Sequence, residues 1–211
     1  MRERLAFIGA GSHADAIFLV LDKNQYKLVG YFDDKNIAEH DGFPVLGKIK
    51  DVKEFLRKGK IDKVFITIGD NDKRKEVFDY LCPEYYDCFI NIVSSNATIL
   101  SMEELSAKGI FIGSNAFLGA KVTVGDNTII NTGSIIEHHS VIGSHVNIAP
   151  HATINGLCNI NDMCYVGSGS ILIQLIDLPA STMIGAGAVV VKSINEPGTY
   201  VGVPAKLLKK K

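Results

Sequence analysis

From Ile112 onward an aliphatic residue recurs at every sixth position: Ile112, Leu118, Val124, Ile130, Ile136, Ile142, Ile148, Ile154, Ile160, Val166, Leu172, Leu178, Ile184 and Val190. Two positions ahead of each, from Ala116 to Ala188, stands a second and usually small residue such as Ser134, Ser140, Ala152 or Cys158. A period of six excludes an amphipathic helix, whose period is about 3.6, and contains the strand period of two. Glycine, asparagine and aspartate follow many of the aliphatic positions, as in Val124-Gly125-Asp126-Asn127, and these are turn formers. Each hexad therefore reads as a short strand and a corner, and the series as a parallel β-helix with three hexads per coil. Residues six apart then lie on successive corners. Residues eighteen apart stack, separated by about 4.8 Å.

Ahead of the repeat the periodicity changes. LAFIGAGSHADAIFLVLDKN reads as strand, glycine turn and amphipathic helix. KLVGYFDD and KVFITIGD read as further strands, and DVKEFLRKGK and DKRKEVFDYLCPEY as helices. Strands alternating with helices predict a small parallel α/β domain. Neither pattern holds between Ser94 and Lys108, so the sequence divides into a Rossmann-like domain over 1–94 and a β-helix over 95–211, with a short helical turn expected at Met102–Ala107.

The α/β segment carries a candidate nucleotide site. Gly9, Gly11, Ser12 and His13 belong to a GxGxxA turn that follows a strand and opens a helix, the arrangement that presents backbone N–H groups to phosphate. Asp33 and Asp34 end the next strand about twenty residues on, where an acid can reach ribose hydroxyls. Gly69 and Asn71 follow the third strand, and Arg74 on the next helix is a candidate phosphate partner. The same features also fit a tight turn that binds nothing and a solvated helix face. NAD chemistry is not expected, because the segment holds only half a dinucleotide fold.

Net charge is −1, with no basic stripe, so nucleic-acid binding is not expected. No apolar run reaches a membrane span, and MRERLAFIGAG passes directly into strand and turn rather than a signal sequence. Cys82, Cys88, Cys158 and Cys164 form no CxxC pair, which points to reduced thiols in a cytoplasm. Four of six histidines fall between His138 and His151, which raises a metal site. His139, His145 and His151 are six apart, however, so they occupy three different corners, and no metal is expected. His138 differs: eighteen residues on stands Gly156, whose missing side chain leaves room for a ligand and a backbone N–H. A base beside an N–H donor suits acyl transfer. A histidine that merely fills a polar corner fits the same spacing.

GAGSHA, YFDD, IIEHHSVIG, NIAP and the ending YVGVPAK together resemble the bacterial sugar O-acyltransferases of the sialic acid (NeuD) group, which includes UDP-4-amino-sugar N-acetyltransferases of the PglD kind. The resemblance spans essentially the whole chain. It implies a left-handed β-helix, acetyl-CoA as cosubstrate and a homotrimer. It also implies His138 as general base, Asn131 beside it, and Gly156 N–H as receiver of the thioester oxygen. The segments GAGAVVVK and GVPAK match regions that hold coenzyme A, implying backbone contacts at Ala186 and Gly187, with Lys192, Lys206 or the tail Lys209–Lys211 for its phosphates. The sequence departs from the family at three places. His139 stands where an acid usually follows the base, leaving Glu137 as one possible orienting carboxylate; Asn147, counted with the coenzyme-binding residues, replaces a second histidine; Ser94 replaces a histidine before the first coil. Asn131 and Asn147 lie nearly half a turn or more from His138, so they join it only across a subunit interface.

The expected function is acetyl-CoA-dependent N-acetylation of a nucleotide-linked 4-amino-4,6-dideoxy sugar in bacterial glycan synthesis. O-acetylation of a sialic-acid-like sugar and a non-catalytic nucleotide-sugar-binding protein remain the alternatives.

Overall fold

A computed structural model describes residues 2–100, 105 and 107–208. Most of the segment 102–107, where the sequence predicts a helical turn, and all of Lys209–Lys211 lie outside the described residues. The chain forms two compact units, Met1–Ile92 and Val93–Lys211.

The first unit runs β1 (Glu3–Ile8), α1 (Ser12–Val20), β2 (Tyr26–Phe32), β3 (Glu39–His40), β4 (Phe43–Gly47), α2 (Val52–Arg57), β5 (Lys63–Ile66) and α3 (Asn71–Tyr85). Its sheet has the order β3-β4-β2-β1-β5, with β1 parallel to both β2 and β5. Alternate residues of β1 feed two cores, as the strand period requires. Ala6 and Ile8 pack with Val52 and Leu56 of α2 and with Val77 and Leu81 of α3. Phe7 meets Tyr31 edge-on at 5.9 Å, and Tyr31 extends that aromatic cluster to Phe43 and, through it, to Phe18 of α1. The β3–β4 hairpin escapes a periodicity reading because β3 has only two residues. Its turn was nonetheless encoded: Asp41-Gly42 takes positive φ at both residues, 46° and 76°, as a two-residue hairpin turn demands.

The second unit is a left-handed parallel β-helix built from two-residue strands. All fourteen repeat aliphatics from Ile112 to Val190 are buried, and so are the small residues two places before them. Registers advance by eighteen: Ile129 pairs with Phe111 and Asn147, and Asn147 with Tyr165. Each corner places one residue in the left-handed region, every sixth position from Asn115 to Gly187, with φ between 56° and 67°. The prism begins earlier than the sequence pattern implies. Ser94 N–H already donates to the Ile112 carbonyl, and Thr98–Ile99 pairs with Phe117–Leu118. Ile99 and Leu118 are nineteen apart rather than eighteen, and residues 101–107 interrupt the series, which hides this coil from a search for period six.

Candidate active site

The carboxyl ends of β1, β2 and β5 surround a cavity of about 1070 Å³ in the first unit. Gly9 shapes its floor. Its φ is +108°, and a Cβ there would lie 2.8 Å from Ile68 Cγ1, so glycine alone fits. Helix α1 starts at Ser12 with Gly11 as a cap that has no side chain to offer, leaving the helix N-terminus open to an anion. Gly9, Gly11, Ser12, His13, Asp33, Asp34 and Gly69 all line the cavity.

The acids are partly occupied. Asp33 Oδ2 accepts the Ala10 N–H at 2.7 Å and its Oδ1 accepts the Lys35 N–H at 2.8 Å, so this carboxylate braces the glycine turn. Asp34 Oδ1 accepts the Ile49 N–H at 3.1 Å. His13 is held neutral: burial first, and the nearby Arg74 charge second, lower its pKa to about 4.

Arg74, a candidate phosphate partner by its position on α3, lies neither on a solvated face nor on the cavity wall. It is 1% exposed. Its Nη1 donates to the carbonyls of Ile68 and Gly69 at 3.3 and 3.0 Å, and its Nη2 to Asn71 Oδ1 at 2.8 Å. The guanidinium fork thus fastens the turn after β5, and burial lowers its pKa to about 10. Asn71 shares this bracing role and is likewise off the wall. Cations on the wall come instead from Lys35, Lys50 and Lys73. They belong to three separate segments, and no local motif marks them.

In the β-helix, His138 and Gly156 stack as their spacing predicts. A Cβ built on Gly156 would lie 2.7 Å from His138 Cε1 and 2.8 Å from Nε2, so the imidazole occupies the volume a side chain would take. Among the described residues the Gly156 N–H has no protein acceptor, although its carbonyl takes the Leu175 N–H. The ring's hydrogen-bond partner is His139, Nδ1 to Nδ1 at 3.2 Å, with the two planes at 86°. Among the described residues no hydrogen bond joins Glu137, the substitute for the family's acid, to His138; the left-handed turn at His139, φ 61°, brings the next side chain round to the ring.

Asn131 uses its Oδ1 on the Thr132 N–H at 2.8 Å. Asn147 is 8% exposed and sits on the rung between Ile129 and Tyr165. At seven and nine residues from His138, both lie off the column of eighteen. Ala186 and Gly187 are exposed at a late corner, and a Cβ on Gly187 would meet nothing within 4 Å. Lys192 shares the wall of a second cavity, about 490 Å³, with Lys206. His145 is buried, its Nδ1 bonded to Asn127 Nδ2 at 2.9 Å, while the His151 ring covers Gly133. Among the described residues no three His, Cys, Asp or Glu side chains are grouped to hold a metal ion.

Residues 4–81 match the PglD N-terminal domain, and residues 121–156 match the bacterial transferase hexapeptide repeats. No curated protein sequence matches significantly. Among solved structures, the acetyltransferase domain of PglB from Neisseria gonorrhoeae FA1090 superposes with a TM-score of 0.89 at 25% identity, covering 98% of this chain and 100% of that one. The same domain with acetyl coenzyme A gives 0.87 at 24%, covering 99% and 100%. PerB from Caulobacter crescentus, in complex with CoA and GDP-perosamine, gives 0.86 at 25%, covering 97% of each chain. The chain thus carries a PglD N-terminal domain match followed by a hexapeptide-transferase repeat match, and is similar over nearly its whole length to the PglB acetyltransferase domain and to PerB.

Proposed function

We propose that the protein transfers an acetyl group from acetyl-CoA to the amine of a nucleotide-linked 4-amino-4,6-dideoxy sugar, in the cytoplasm and as a homotrimer. The observation that carries this reading is the imidazole of His138 packed on a glycine whose N–H has no acceptor among the described residues. PerB, 25% identical over nearly its whole length, binds CoA and GDP-perosamine, an amino sugar nucleotide. The first cavity suits the nucleotide: an open helix N-terminus and three lysines for phosphate, with Asp34 beside them. Lys192 and Lys206 suit the phosphates of coenzyme A.

In the reaction, His138 removes a proton as the sugar amine attacks the thioester carbonyl. The Gly156 N–H donates to the oxyanion that develops. Collapse expels the CoA thiolate, which recovers the proton from His138, and the amide product leaves. General-base help of this kind is worth about 10²–10⁴-fold.

The test is thiol release and product mass with GDP-, UDP- and dTDP-linked 4-amino sugars beside a sialic-acid-like acceptor. Amide formation on one amino sugar supports the reading. Ester formation on the sialic-acid-like acceptor alone, or thiol release with none of them, sinks it. His138→Ala is expected to lower kcat/KM at least tenfold, more than any substitution of His139.

A further inference from the structure

We infer that His139 is a positioning and proton-accepting partner of His138: it fixes the base in the Nδ1–H tautomer and shares the proton that His138 takes up. This rests on the acyl-transfer reading of His138. The two Nδ1 atoms lie 3.2 Å apart, so one must carry a proton and the other a lone pair. His138 is held from its other side by Gly156, whose would-be Cβ position is nearest to the Cε1–Nε2 edge. With Nδ1 engaged by His139, Nε2 is the ring nitrogen that has no protein hydrogen-bond partner among the described residues, so a base working through it needs a bare Nε2 and therefore an Nδ1–H on His138. The bond then requires His139 to present a bare Nδ1 and keep its own proton on Nε2.

When the amine gives its proton to His138 Nε2, the resulting imidazolium donates its Nδ1–H to His139. The positive charge is thereby shared across a charge-assisted bond, in the place where a carboxylate would stabilise it more strongly. Two imidazolium rings cannot both point N–H groups at each other across that gap. Few other charges bear on the pair. Lys121 occupies the corner one coil before His139, Glu137 precedes the pair in sequence, and the following coil offers only Gly156 and Leu157.

The corner position supplies a clean deletion. His139 has φ 61°, and the equivalent corners at Gly133, Gly169 and Gly187 are glycines with φ 65° to 67°, so His139→Gly removes the ring without opposing the backbone. The first measurement needs no turnover: long-range ¹H–¹⁵N spectra of histidine-labelled protein across pH. We expect Nδ1–H on His138 and Nε2–H on His139. The opposite tautomers overturn the proposal whether or not the protein acetylates any sugar tested. The second is the pH profile of kcat. Loss of the partner destabilises the imidazolium, so His139→Gly is expected to lower kcat about tenfold with KM unchanged and move the acid limb to lower pH. His139→Glu moves the limb above wild type and restores or raises kcat. A profile that keeps its shape in both variants, or a change confined to KM, also overturns it.

Discussion

Two residues of the N-terminal domain separate what a motif implies from what burial imposes. His13 belongs to the glycine turn, yet burial keeps it neutral, with a pKa of about 4 against about 6.5 when unfolded. The unfolded chain binds the extra proton between those values, so stability is full above about 6.5 and is lost as pH falls toward 4. His13→Gln is expected to flatten this loss by on the order of 1–3 kcal/mol, read from urea midpoints at pH 7 and pH 4.5. Arg74 offers the sharper contrast. Its fork serves two carbonyls and an amide oxygen at once, a task a lysine cannot reproduce. Arg74→Lys is expected to cost about 2–4 kcal/mol in stability, measured by thermal melting. Lys73→Ala, on the cavity wall, should instead weaken nucleotide-sugar binding at unchanged melting temperature, with the difference fading at high salt. The sequence showed the basic residue of α3 but not its depth. The lysines were invisible for another reason: Lys35, Lys50 and Lys73 come from three separate segments that converge only in the fold.

At the level of elements, legibility follows period. The hexads could be read residue by residue because each turn of the prism repeats the same burial demand, and from that spacing His138 could be placed against Gly156 before any coordinate. The first coil, one residue out of step at Ile99, and the two-residue strand β3 carry too little repetition to register. His139's contact with its neighbour was legible only in part, since side-by-side residues meet here through the left-handed corner and not through the eighteen-residue rule. The stacking yields a prediction of its own. Gly156→Ala introduces a Cβ into the volume of the His138 ring, against a backbone that alanine tolerates. We expect kcat/KM to fall at least tenfold, as in His138→Ala, while melting temperature and CoA affinity stay near wild type. Unchanged kinetics in Gly156→Ala would separate the two residues and remove the oxyanion assignment.

For the whole molecule, the outward residues of the β-helix bear on assembly. Ile135 and Ile171 lie on one ladder with Phe117, Thr153 and Val189 and remain 38% and 41% exposed in the single chain, an apolar column on a flat face. The proposed trimer would cover such a face, and Ile135→Lys with Ile171→Glu is expected to shift light-scattering mass toward monomer at micromolar concentration. A monomeric wild type would rule the trimer out. The corner-by-corner construction also governs how the chain comes to be folded. Every rung is joined to the next by ladder bonds eighteen residues away, in a unit of 119 residues (93 to 211), a relative contact order of 18/119, about 0.15. That value is low for an all-β protein and resembles the mixed folds that form faster. Such a solenoid can start at any coil and grow toward both ends, and by the same logic it opens from its ends inward. His138 and Gly156 have about two coils on either side. Amide exchange should therefore proceed fastest near Thr98 and Thr199 and slowest around the imidazole, leaving the proposed acetyl-transfer site as the last part of the prism to fray.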